Sequence, residues 1–225
     1  MKLFYALILT VFAAFPARAE VDIQPVTSPG GITAWLVEEH SIPFVALEIR
    51  FRGGASLDAP GKRGAINLMT GLLEEGAGDM DARAFSRETE ALATNLSFDV
   101  SDDSLSVSAR FLTENRDASI ELLRAALLEP RFDEDAVERV RGQVISNIQS
   151  NRKDPNEIAR QTFDKIAFGD HPYGSSLNGT LETVAGLTRD DLIGAHKAVL
   201  ARDRIYVGAV GDITSEELGE LLDTL

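Results

Sequence analysis

Between residues 96 and 111, apolar and polar positions alternate on either side of Ser101-Asp102-Asp103-Ser104, the pattern of two strands joined in a hairpin. Val137, Val140, Val144 and Ile148 instead recur at spacings of three, four and four, the period of a helix buried along one side. The same two periods sort the rest of the chain. Strands are expected over residues 21–26 and 32–37, across a Pro-Gly-Gly turn, and more strongly over 44–51, between Pro43 and Gly53-Gly54. A late strand over 204–211 reads as buried and is closed by glycine. Asp81 can cap a helix to about Ala93, Thr113 one that ends near Glu129-Pro130, and Asp133 the long helix that follows. Asp154 is a cap with proline at the first helical position, which predicts a helix to about Phe168. Thr188-x-x-Asp191 and Thr214-x-x-Glu217 are capping boxes that open two more. The order predicts an α+β fold: one antiparallel sheet with helices packed on one face.

One further helix is expected from Gly64 through Leu73, with Ala65, Ile66, Leu68, Met69, Leu72 and Leu73 apolar and a glycine-rich exit at Gly76 and Gly78. On it Asn67, Thr70 and Gly71 stand at i, i+3 and i+4, so the period places all three on one face.

The first nineteen residues carry a different signal. Lys2, an apolar run over 3–15 and Ala17-Arg18-Ala19 have the form of a cleaved secretory leader, and the run is too short to span a bilayer. The expected division is a signal peptide at 1–19 and a single domain at 20–225, located in the periplasm or secreted, with no stable membrane anchor. Removing Lys2 and Arg18 leaves 20 basic and 36 acidic residues, a charge of −16. Such a surface repels phosphate backbones, so no nucleic-acid partner is expected. Without cysteine, the chain has neither a disulfide framework nor a lipoprotein attachment site.

The frame around Asn67, Thr70 and Gly71 resembles the motif helix of the pitrilysin/insulinase zinc peptidases, the inverzincins, whose signature is H-x-x-E-H. The resemblance extends to His171-Pro-Tyr-Gly174, Leu177-Asn-Gly-Thr180, Leu187-Thr188 and the late Tyr206–Ile213 stretch, and so covers nearly all of residues 20–225. It implies a metallohydrolase fold like that of mitochondrial processing peptidase, here as one N-terminal-type half with the second homologous domain absent. In the family two His bind zinc, the Glu between them is the general base, and a Glu on the following long helix is the third ligand. Here the motif positions hold Asn67, Thr70 and Gly71, the third-ligand region reads Ser146-Asn147, and no carboxylate lies between Glu138 and Asp154.

No catalytic residue, metal ligand or cofactor is therefore expected in this chain, with zinc only in a partner. The resemblance implies a non-catalytic subunit that helps a zinc-bearing peptidase subunit of the same family hold a peptide substrate. The strand at residues 95–99 is expected at the sheet edge beside the motif, where the family adds peptide as an extra strand, with Leu96, Ser97 and Phe98 as substrate-binding residues. Two other readings stand beside this one: an active zinc metallopeptidase with unusual ligands, and a binding or assembly module with no role in proteolysis. Glu74-Glu75 offers paired carboxylates but reads as a solvated helix end. His40, His171 and His196 have no i, i+4 partner among them, and no serine sits in a G-x-S-x-G elbow.

Overall fold

A computed structural model describes residues 21–225; the expected leader at 1–19 lies outside the described residues. Among the described residues eight strands form, in chain order: β1 (Gln24–Thr27), β2 (Thr33–Glu38), β3 (Phe44–Arg52), β4 (Gly76–Ala77), β5 (Met80–Asp81), β6 (Asn95–Val100), β7 (Ser104–Leu112) and β8 (Ile205–Gly211). The helices among the described residues are α1 (Ala65–Thr70), α2 (Ala82–Ala91), α3 (Arg116–Leu128), α4 (Glu134–Asn151), α5 (Pro155–Phe168), α6 (Leu181–Ala185), α7 (Arg189–Val199) and α8 (Ser215–Thr224).

Six strands make the main sheet in the order β1-β2-β8-β3-β7-β6. Alternation decides its two faces. Val45, Leu47, Ile49 and Phe51 of β3 and Leu105, Val107, Ala109 and Phe111 of β7 turn inward and are buried with Ala34, Leu36, Val207 and Ala209. The helices cover this inner face, with Ile120, Leu123, Leu192, Leu218 and Leu222 in the same core. Trp35, Glu48, Arg50, Tyr206 and Val210 point to the other face and stay exposed.

The sheet is mixed, which corrects the expectation of an all-antiparallel one. β8 enters between β2 and β3, pairing antiparallel with β3 and parallel with β2. The β2–β3 turn therefore joins strands that do not touch. Side-chain alternation is the same for either strand direction, so the period of the sequence carries no record of it.

Two local expectations also change. The motif helix is only six residues long; past Thr70 the chain tightens into i→i+3 bonds, Leu72 N to Met69 O at 3.0 Å and Leu73 N to Thr70 O at 3.3 Å. Thr113 does not cap α3. It opens a 3₁₀ turn, and its hydroxyl donates instead to Asp212 at 2.9 Å.

Candidate functional site

The start of α1 is held by the loop before it and by the 177–180 loop. The Asp58 carboxylate accepts from Gly64 N at 2.8 Å and Ile66 N at 2.9 Å, capping the helix from the preceding loop. Burial raises the pKa of Asp58 against those two bonds and the nearby Arg63. Gly64 has φ +100°, and a Cβ there would lie 2.7 Å from Asn178 O, so the helix start fits against the 177–180 loop only as glycine.

Arg63 is the hub of the surrounding loops. Its guanidinium donates to Asp102 Oδ1 at 2.5 Å, to the carbonyls of Pro172, Ser175 and Ser176 at 3.0–3.2 Å, and to Ala55 O. Tyr173 donates its hydroxyl to Asp103 at 2.6 Å. The His-Pro-Tyr-Gly segment is thus fastened to the β6–β7 turn and the α1 approach, and His171 Nδ1 accepts from Tyr173 N at 3.3 Å. Nothing in the sequence pattern points to these loop-fastening roles.

The three motif positions do not share one exposed face. Asn67 is half-buried and Gly71 exposed, but Thr70 is 3% exposed and its hydroxyl donates to Ile66 O at 2.8 Å. A Cβ on Gly71 would meet Val140 Cγ1 of α4 at 3.2 Å, so the space beside it is lined by an aliphatic side chain. On α4, Ser146 and Asn147 are both exposed. A zinc site wants imidazole, thiolate or carboxylate donors. This face offers one amide, one hydroxyl already engaged, and hydrocarbon, so the residues present do not fit the metal. Among the described residues, no three His, Cys, Asp or Glu converge to hold one.

The histidines are spent elsewhere. His196 Nε2 lies 2.7 Å from Leu127 O, edge-on to Phe132, and burial lowers its pKa. His40 contacts Asp212 at 2.7 Å.

Glu74 and Glu75 separate rather than act as a pair. Glu75 receives a bidentate Arg139 at 2.5 and 2.7 Å, which ties the motif loop to α4. Glu74 presents its surface to solvent yet sits in a crowded spot. Burial first, then repulsion from Glu75 and Asp99, raises its pKa. Neither stands at a helix end, which corrects that expectation, because α1 stops at Thr70.

β6 is the outermost strand of the sheet, next to α1. Leu96 and Phe98 face inward and are 8% and 9% exposed, while Ser97 turns to the other side and bonds Asp99 at 3.0 Å. β6 pairs with β7 along one edge, from Asn95↔Arg110 to Val100↔Leu105. Among the described residues no strand pairs with its other edge.

A sequence model of the insulinase family, peptidase family M16, matches residues 34–181. The chain belongs to this family. Among curated relatives it is 26% identical over 216 residues to the "non-peptidase homolog YmxG" of Helicobacter pylori, covering 96% of this chain and 50% of that one. It is 21% identical to a probable mitochondrial-processing peptidase subunit beta of Arabidopsis thaliana, over 91% of this chain and 38% of that one. In fold it is similar to an M16 inactive domain from Pseudomonas fluorescens, with a TM-score of 0.84 at 22% identity over 89% of this chain and 49% of that one. The periplasmic protease PqqL of Escherichia coli matches with a TM-score of 0.78 at 14% identity, over 91% of this chain and 23% of that one. The chain thus spans half or less of the length of these relatives and solved structures. No helix among the described residues is long and apolar enough to cross a membrane.

Proposed function

We propose that this M16 chain is an exported subunit without peptidase chemistry of its own, which holds extended peptide along β6 for a zinc-bearing M16 partner. The observation that carries this reading is the contrast within one site. The chemistry of the motif is gone at Asn67, Thr70 and Gly71, while the loops that position α1 beside β6 are fully bonded through Asp58 and Arg63. Strand addition uses main-chain hydrogen bonds, so it needs none of the lost ligands. Leu96 and Phe98 anchor the strand to the core, and Ser97 faces away from it.

Support for a partner comes from apolar surface. The outer sheet face has a groove of about 340 Å³ lined by Ile23, Trp35, Val37, Ala46 and Val210, and Trp35 is 58% exposed. α5 packs chiefly on the Pro172–Gly174 turn and leaves Phe163 and Ile166 exposed. Exposed large apolar side chains such as these are available to a partner surface. They favour equally well the reading as a binding or assembly module with no role in proteolysis.

The two readings part on β6. An isotope-labelled chain, mixed with a zinc-bearing M16 subunit from the same organism and an extended peptide, is expected to show shifted backbone amides within residues 95–100. Partner binding with those amides unmoved would leave assembly as the role and refute peptide holding.

A further inference from the structure

At the far end of the sheet from the motif, His40 stands between two carboxylates. Its Nδ1 is 2.7 Å from Asp212 Oδ1 and its Nε2 is 3.4 Å from Glu38 Oε2. Both acids are engaged again behind it. Glu38 Oε1 accepts from the backbone N and the hydroxyl of Ser215, at 3.2 and 3.1 Å, where α8 begins. Asp212 Oδ2 accepts from Thr113 Oγ1 at the end of β7. The series Ser215, Glu38, His40, Asp212, Thr113 therefore crosses from α8 to β2, the β2–β3 turn, the β8 exit and β7.

The carboxylates on either side of the ring favour its charged form. An ionised carboxylate only accepts, and a neutral imidazole has one N–H, so neutral His40 can serve Asp212 or Glu38 but not both. The imidazolium has two N–H groups and serves both. We propose that His40 is a proton-operated staple: charged, it clamps the β2–β3 turn to the β8–α8 corner, and on deprotonation it lets one of the two arms go.

The charges around it agree. Its own turn brings Glu39, which is occupied by Ser41 N at 2.9 Å; β2 brings Glu38; the corner brings Asp212. Glu217 lies behind Asp212 on α8 and is neutralised by Arg116 of α3 at 2.7 Å. The groups in contact with the ring are thus both acidic. Hydrogen bonding to Asp212 first, then to Glu38, raises the His40 pKa, and the same contact with His40 lowers that of Asp212. A histidine raised in the folded state adds stability that is complete below the ordinary value of 6.5 and is lost as pH rises through the folded value. Besides the staple, two backbone bonds close the turn, Glu39 N to Gly211 O at 2.9 Å and Asp212 N to Phe44 O at 3.0 Å. The first of them reports on its opening.

The test is a titration of the His40 ring by NMR in the whole protein, paired with amide hydrogen exchange at Glu39. The ring is expected to titrate above the ordinary histidine value. Asp212→Asn is expected to pull the midpoint down more than Glu38→Gln does. Exchange at Glu39, corrected for the intrinsic effect of pH, is expected to rise severalfold through that midpoint in the wild type and to stay flat in His40→Gln. Comparison with His40→Gln also removes the opposite contribution of His196, whose pKa burial lowers. A His40 midpoint at or below the ordinary value, or equal pH dependence of Glu39 exchange in both proteins, would overturn the staple.

Discussion

Arg141 is the most deeply buried cation of the fold, 9% exposed. Its guanidinium donates to Val184 O and to Leu187 O at 3.0 Å, and so latches α4 onto the exit of α6. Removing it would leave the Leu187 carbonyl without a donor and Val184 O with only the long bond from Leu187 N at 3.4 Å, a loss of about 2 kcal/mol. Arg141→Ala is therefore expected to lower the urea midpoint well beyond the effect of the neighbouring exposed Gln143→Ala. Glu217 sets a second test at this scale. Arg116, with the Thr214 backbone and hydroxyl, lowers its pKa from 4.5 to about 2. A depressed carboxylate stabilises the fold above its unfolded pKa, and this contribution is lost as pH falls through the folded value. The melting-temperature advantage of the wild type over Glu217→Gln is expected to hold above pH 4.5 and shrink between there and about pH 2. Because the group is partly exposed, solvent screening keeps that advantage small. An advantage that does not change across this window would refute the pairing.

Elements were legible where one period dominated. The 96–111 hairpin, the valine ladder of α4, the Asp154-Pro155 start of α5 and the Thr188 and Thr214 capping boxes all stand where the sequence places them. What escaped the reading depends on distant partners. α6 is five residues long with a Thr180–Thr183 capping box, too short for a period to declare itself. α1 ends early, and Thr70, on the same side of the helix as Asn67 and Gly71, is buried with its hydroxyl bonded to Ile66 O. The amide, hydroxyl and glycine at the three motif positions were plain in the sequence. The web of Asp58, Arg63 and Tyr173 around them was not, since most of its bonds span more than 30 positions. Two glycines test how the elements are joined. Gly179 has φ +77°, and a Cβ there would lie 2.2 Å from Arg63 O, so Gly179→Ala must push the 177–180 loop off the start of α1. Gly142, exposed in the middle of α4 with open space around its Cβ position, is the contrast. Gly142→Ala is expected to stabilise by about 0.5–1 kcal/mol, and Gly179→Ala to destabilise. Thermal melts that move in the same direction for both variants would contradict this account of the α1 approach.

At the scale of the whole molecule, the chain is an M16 fold unit that spans half or less of the length of the relatives and solved structures compared above. Its loops are bonded through Asp58 and Arg63, its β6 edge has no pairing strand among the described residues, and its outer sheet face carries an apolar groove. Its motif positions hold Asn67, a buried Thr70 and Gly71, which offer a zinc ion no imidazole, thiolate or carboxylate. The central claim, a retained scaffold without zinc chemistry, is tested most directly by metal analysis after dialysis against excess zinc, with a peptide-cleavage assay on the same sample. The account predicts no stoichiometric zinc and no cleavage, because Asn67, an engaged Thr70 and a bare Gly71 beside Val140 replace two imidazoles and a carboxylate. One tightly held zinc per chain, with peptide cleavage by the chain alone that a chelator abolishes, would contradict it.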